Sequence, residues 1–262
     1  MKKPRVIFIV YDENNRKYAE MFKRSLRYFH SEEELPLVEY TEDKIKEIGD
    51  PAFFYRATPY IAKELIKDYE LVIKADADQL ALGKLDHILY TWKDYDVGTV
   101  LNINRVDPPI YGLVAYASIA PNEYYNNGLV ALRSEGFINE WWNLCCSKHF
   151  DRMPMREQGF LNILAHYGSA SGRYNIRCFD GYDRELRIST LNGLVAKGEG
   201  LRMKVENEEV VLYPDNTGYP DKKVVIKLYH WASGNTPNKM NYRTDFSDEV
   251  ISFIDKILDV GK

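Results

Sequence analysis

The sequence predicts an α/β fold: a Rossmann-like, nucleotide-binding first half and a mixed central β-sheet flanked by helices. Three observations carry this reading. The chain opens with a β-branched apolar run, a polar break and then a helical apolar face, which is the strand–loop–helix start of a nucleotide-binding half. Further apolar runs then alternate with helical patterns. From Arg173 to Tyr229, short β-type runs interrupted by glycine and asparagine take over.

The elements follow in order. Val6 to Val10 is an apolar strand of the fully buried kind. After Asp12-Glu13-Asn14-Asn15, residues Tyr18, Met21, Phe22, Ser25, Leu26 and Phe29 share one face of a helix. A weak strand starts near Leu37. Thr58-Pro59 reads as an N-cap followed by proline at the first helical position, with Ile61, Leu65 and Ile66 as the apolar face. Leu71-Val72-Ile73 is the next strand, and Val97 to Leu101 and Leu129 to Leu132 are two more. Phe137 to Cys146 and Gln158 to His166 are helical. Glu209 to Leu212 and Val224 to Tyr229 are short strands, and Val250, Ile251, Ile254, Ile257 and Leu258 mark a final amphipathic helix.

Composition narrows the function classes. The chain has 262 residues, enough for a core that needs no disulfide staples. Its 35 Lys plus Arg against 39 Asp plus Glu give a net charge of −4, which argues against a nucleic-acid partner. Cys145, Cys146 and Cys178 form neither a disulfide framework nor a CxxC zinc pair, so the expected setting is a reducing cytoplasm. The apolar run in the opening MKKPRVIFIV is too short for a signal segment. No stretch approaches the roughly 20 apolar residues of a membrane span, so no integral membrane segment is expected.

The chemistry centres on Leu71-Val72-Ile73-Lys74-Ala75-Asp76-Ala77-Asp78. Two carboxylates at i and i+2 stand at the end of a buried strand and lie on one side if the chain stays extended. Hard divalent cations take oxygen ligands, and a departing diphosphate needs such a cation to absorb its charge. Ligands of open α/β sheets gather at the carboxyl ends of strands. A solvated loop carrying two aspartates is the plainer reading. A haloacid-dehalogenase-like phosphatase also uses a strand-end DxD, but there Thr or Val follows two residues after the second Asp, where this chain has Leu80. A sugar nucleotidyltransferase wants a glycine-rich loop after the first strand, and Asp12 to Arg16 has no glycine. A catalytically inactive carbohydrate-binding protein is the non-enzymatic alternative.

Several segments in order resemble the glycogenin-type enzymes, glycosyltransferase family 8, over about residues 5 to 240. These are Tyr18-Ala19 with Ser25-Leu26, Phe54-Tyr55-Arg56 with Pro59-Tyr60-Ile61-Ala62, and the DxD strand end followed by Leu85-Asp86-His87-Ile88-Leu89. Asn126-Asn127-Gly128-Leu129-Val130 resembles the family's NxG strand, and Glu157-Gln158-Gly159-Phe160-Leu161-Asn162 its DQGxLN motif with Glu for the first Asp. Tyr229-His230 with Gly234 and Lys239 resembles its HxxG…K ending, although His230 to Gly234 and Gly234 to Lys239 are both longer here.

The resemblance implies a GT-A fold in a single domain over 1–262: a nucleotide-binding half to about 125, an acceptor-side half over about 126–240 and a C-terminal helix over 245–262. It implies a retaining hexosyltransferase that moves a hexose from a UDP-sugar, UDP-glucose or UDP-galactose, to a hydroxyl acceptor on a glycan, lipid or small molecule. Asp76, Asp78 and His230 would hold Mn²⁺ or Mg²⁺. Val10, Tyr11, Asp12, Tyr18 and Ala77 fall where the family contacts the nucleotide. Arg56 and Lys239 offer charge to the diphosphate, and Gly234 and Asn126 complete the donor contacts. Gln158 and Glu157 would face the reacting centre. Plainer readings stand beside these: Tyr11 and Tyr18 also suit a core, Asn126-Asn127-Gly128 a turn, and His230 a buried structural histidine. Trp141-Trp142, Tyr124-Tyr125 and Trp231 suit an acceptor platform, but adjacent aromatics cannot share a helix face, so one Trp of the pair belongs to the core. The family's Thr-Asn pair is here Tyr11-Asp12. A carboxylate suits the paired N–H donors of guanine, which keeps a GDP-sugar as the alternative donor.

Overall fold

A computed structural model describes residues 2–47, 53–91, 93–101, 119, 123–179, 190–192, 202–213, 224–230 and 242–259. Strand β1 (Val6–Tyr11) leads into helix α1 (Arg16–Phe29), then β2 (Leu37–Thr41) and α2 (Glu42–Lys46). Helix α3 (Phe53–Leu65), β3 (Val72–Asp76), β4 (Gln79–Ala81), β5 (Val97–Leu101) and β6 (Tyr125–Leu132) follow. Next come α4 (Glu135–Cys145), α5 (Arg156–Ala170), β7 (Ile176–Cys178), β8 (Thr190–Asn192), β9 (Arg202–Glu206), β10 (Glu209–Tyr213), β11 (Val224–Ile226) and β12 (Leu228–His230). Helices α6 (Tyr242–Asp245) and α7 (Asp248–Asp259) complete the described elements.

The backbone groups into two compact units. The first spans 1–13, 36–76 and 86–178 and holds a six-stranded sheet in the order β2-β1-β3-β6-β5-β7. Within it β1 runs parallel to β2 and β3, β6 is antiparallel to β3 and β5, and β7 is parallel to β5. The mixed sheet is therefore as expected. Its core joins Val6, Phe8 and Val72 to Ala57 and Ile61 of α3 and to Phe137 and Trp141 of α4. The second unit, 14–35, 77–85 and 179–262, contains two three-stranded sheets, β11-β10-β9 and β4-β12-β8. Its core draws Leu80 and Tyr229 together with Val210, Leu212, Phe253 and Ile254.

Four local expectations are corrected. Helix α3 begins at Phe53, so Pro59 lies inside it rather than at its first position. Fully buried Ala57 belongs to the same apolar stripe as Ile61, and packing on the core outweighs the backbone bond that proline cannot donate. The DxD does not stay extended: β3 ends at Asp76, and Ala77-Asp78 form a turn into β4. The Asn-Asn-Gly segment opens β6, as the NxG-strand resemblance implied, which overturns the plainer reading of a turn. In α7, Phe253 is buried in the core while Ile251 and Leu258 stay half-buried, which rotates the apolar face from the one the sequence suggested.

Candidate active site

Strand β3 is central, flanked by β1 and β6, so a polar side chain on it has few routes to water. Val72, Ile73 and Ala75 are buried as expected, and so is Lys74. A buried ammonium must be paired. The Lys74 Nζ donates to the carboxylate of Asp76 and to the backbone carbonyl of Asn127, both at very short range. The strand end therefore carries a cation bound to the first carboxylate of the DxD.

In the second unit, β4 and β12 pair antiparallel with His230 opposite Gln79, the residue after Asp78. This register brings the His230 Nε2 to 3.3 Å from an Asp78 carboxylate oxygen. His230 is almost fully buried, whereas the Asp76 and Asp78 side chains keep about a third of their surface. Only Ala77 separates the two aspartates, so the strand-end carboxylate of Asp76 is followed two residues on by the Asp78–His230 pair. Two hard oxygens and one imidazole nitrogen on a partly open face suit Mn²⁺ or Mg²⁺, so the residues present fit such an ion.

The start of β6 is irregular. Thr99 of β5 pairs with Val130, but the next residue, Val100, pairs with Asn126, so residues 127–129 bulge from that ladder. Side chains satisfy the exposed backbone. Asn126 accepts from Gly128 N–H at 2.6 Å, and Thr99 donates to the Asn126 carbonyl at 3.1 Å. The Gln158 carboxamide accepts from Asn127 N–H at 2.9 Å and donates to the Tyr124 hydroxyl at 3.4 Å. Asn162 accepts from Tyr125 N–H at 2.7 Å and donates to its carbonyl at 2.9 Å. Burial pushes the Tyr124 phenol up to about 12, so it stays neutral. The QGxLN segment thus clamps the bulged strand through both of its amides.

Glu157 opens α5, which starts from two consecutive left-handed residues, Met155 at φ 58° and Arg156 at φ 47°. The Trp141 indole N–H donates to the Glu157 carbonyl at 2.8 Å. Burial is the largest influence on the Glu157 carboxyl and raises it from 4.5 to about 7; Asp76 pushes the same way, while its own backbone N–H, Lys74 and Arg156 oppose. A Cβ at Gly159 would collide with the Pro154 carbonyl and the Met153 side chain, so this glycine lets the preceding loop lie against the helix.

Of the other candidates, Val10 lies beside Asp76 in the β1–β3 register. Tyr11 is buried, and its hydroxyl donates to Glu39 at 2.9 Å. Tyr18 is buried on α1 beneath Lys17, and Ala77 is buried in its turn. Val10 and Asp12 are half-buried at the end of β1. Arg56 lies 4.6 Å over the Phe150 ring. Trp141 is core and Trp142 half-buried against Tyr60, as the adjacency argument required. Gly234, Lys239 and Trp231 lie outside the described residues. Lys74 and Asn127 went unassigned in the sequence. The available signal was a lysine inside an otherwise apolar strand.

Compared with solved structures, the chain is similar to the bifunctional glycosyltransferase WbbM at TM-score 0.60 and 15% identity, covering 97% of this chain and 50% of that one. It is similar to the galactosyltransferase LgtC, solved with donor and acceptor sugar analogues, at TM-score 0.56 and 12% identity, covering 97% and 94%. The chain has the GT-A glycosyltransferase fold. A third similar structure is the glycosyltransferase GlyE of Streptococcus pneumoniae TIGR4, at TM-score 0.53 and 12% identity, with 100% of this chain and 64% of that one covered. The chain thus spans about half the length of WbbM and nearly all of LgtC. No protein-family model and no curated protein sequence matches it. Among the described residues, no helix is long and apolar enough to cross a membrane.

Proposed function

We propose that this GT-A chain is a metal-dependent glycosyltransferase that moves a hexosyl unit, glucose or galactose, from a UDP-sugar to a hydroxyl acceptor with retention. The observation that carries the reading is the approach of His230 Nε2 to 3.3 Å from Asp78, the second carboxylate of a DxD that begins at the end of a central strand. Bound there, Mn²⁺ or Mg²⁺ would neutralise the charge developing on the departing diphosphate. As a metal ligand His230 would take part as the neutral imidazole, binding through the Nε2 that faces Asp78. The nucleotide is assigned to Val10, Tyr11, Asp12, Tyr18 and Ala77, and the donor's phosphates and sugar to Arg56, Asn126, Gly234 and Lys239. Glu157, with a carboxyl poised near neutrality, is assigned the proton transfers, and Gln158 the positioning of the reacting face through the β6 bulge.

The test is nucleotide release from UDP- and GDP-hexoses in the presence of Mn²⁺. We expect turnover with a UDP-hexose, lost in EDTA and reduced by roughly a thousandfold in Asp78→Ala, since the metal supplies several kcal/mol of charge stabilisation. Full activity in EDTA would remove the metal from the reading. Asp12→Ala resolves the base: if UDP binds tightly to both proteins with equal affinity, Asp12 does not read the base and the GDP alternative loses its support.

A further inference from the structure

Asn127 stands out within the β6 bulge. It is 6% exposed, its N–H is held by Gln158 and its carbonyl by Lys74, yet its side-chain Oδ1 is buried with no hydrogen-bond partner among the described residues. Folded proteins satisfy nearly all buried polar atoms, because leaving one unpaired costs about 1–3 kcal/mol. Side chains serve the backbone around it: Thr99, Asn126, Gln158 and Lys74 each bond a backbone group there. The Asn127 carboxamide is thereby left with capacity for a further hydrogen bond. Its location says which part of a ligand would take that bond. The same Lys74 ammonium that binds the Asn127 carbonyl binds the Asp76 carboxylate, so Asn127 sits one ammonium away from the DxD.

We infer that Asn127 is a specificity-determining contact to the hexose of the donor, its buried carboxamide end hydrogen-bonding a ring hydroxyl. This rests on the reading of the chain as a nucleotide-sugar transferase. Oxygen and nitrogen of a carboxamide exchange by a flip, so the buried end can accept from the hydroxyl or donate to it. A sugar hydroxyl does both. The sugar is the part of the donor that differs between substrates, so a contact to it discriminates hexoses and leaves the nucleotide untouched.

The experiment is calorimetry of UDP, UDP-glucose and UDP-galactose with Mn²⁺ on wild type and Asn127→Leu, with a thermal melt of each protein. Leucine keeps the branched shape and the number of heavy atoms and removes the unpaired polar group. We expect UDP to bind Asn127→Leu within twofold of wild type, the preferred UDP-hexose to weaken five- to tenfold relative to UDP, and the melting temperature to hold or rise. If the ratio of UDP-hexose to UDP affinity stays at the wild-type value, the inference is overturned while the transferase reading stands. If wild type binds neither UDP nor any UDP-hexose, both are overturned. Asn127→Ser, read the same way, serves if the leucine variant fails to fold.

Discussion

In the second unit, β9, β10 and β11 close with α7 over Met203, Val210, Leu212, Ile226, Phe253 and Ile254. Lys256 and Glu208 pair at the exposed rim, and Lys227, largely buried between β11 and β12, pairs with Glu209. In the first unit, the meeting of β3, β6 and the start of α5 buries Lys74, Asn127, Gln158 and Asn162 instead. Both regions are buried, but they use burial differently. The apolar sheet needs only shape and volume, and its sequence can vary within them. The polar corner needs each group matched to a partner, which fixes positions closely and makes errors costly. Chemistry requires fixed positions, and Asp76, Asn126, Glu157 and Gln158, to which the proposed function gives roles, lie at this polar corner.

The largest effect should come from the apolar side and should not touch ligands. Phe253→Ala removes a buried aromatic from the second unit's core and should cost about 3–5 kcal/mol of stability. UDP affinity, measured below the lowered melting temperature, should stay within twofold of wild type. A large loss of UDP binding by the folded variant would break the division of labour between the two regions.

Next in size is a pH effect in the polar corner. The Glu157 carboxyl is raised by burial from 4.5 to about 7. Since its folded pKa exceeds the unfolded one, the folded state holds the extra proton between these values. Below pH 4.5 the group costs nothing, and it destabilises the fold progressively as pH rises through about 7. In EDTA, Glu157→Gln should match wild type near pH 4 and exceed it by about 3 kcal/mol at pH 8. Parallel stability curves for the two proteins across that range would show that Glu157 ionises like a surface carboxylate.

Lys74→Met comes third. It takes away the ammonium that Asp76 pairs with and the donor to the Asn127 carbonyl. Asp76 keeps a third of its surface in water, so the expected loss is about 2 kcal/mol rather than that of a fully buried pair. Adding Asp76→Asn should recover part of it, giving a coupling of about 1 kcal/mol in a double-mutant cycle. Strict additivity would mean that the two groups do not sense each other.

The same contrast explains what was legible in the sequence. Periodicity gave β1, α1, β5 and α4 to within a residue or two, because each is an apolar stripe on one element. The DxD and His230 were found as motif residues, and the β4–β12 register brings His230 to Asp78. Lys74 and Asn127 escaped because their meaning lies in a contact across 53 residues of chain, which no local pattern encodes. Pro59 misled because a local rule places proline at a helix start, while Ala57 packing decides the matter at longer range. Gln158 and Asn162 were legible as a motif, and the structure adds that their amides hold backbone.

The smallest expected effect concerns strain. Met155 is 40% exposed and left-handed at φ 58°, and Arg156 follows at φ 47° with its guanidinium 3.6 Å from the centre of the Tyr55 ring. A non-glycine residue in this conformation costs roughly 1 kcal/mol against glycine, offset in part by the greater chain entropy that glycine loses on folding. The exposed Met155 has little packing to lose, so Met155→Gly should be neutral to about 1 kcal/mol more stable. Arg156 differs, since its side chain stacks on Tyr55 and helps hold the first turn of α5, where Glu157 and Gln158 sit. Arg156→Gly should therefore gain less stability than Met155→Gly and should weaken donor turnover, while Met155→Gly leaves turnover unchanged. Melting curves and initial rates for the two variants separate the contributions. If both glycines stabilise equally and both keep full turnover, the left-handed pair is a local defect with no bearing on the polar corner.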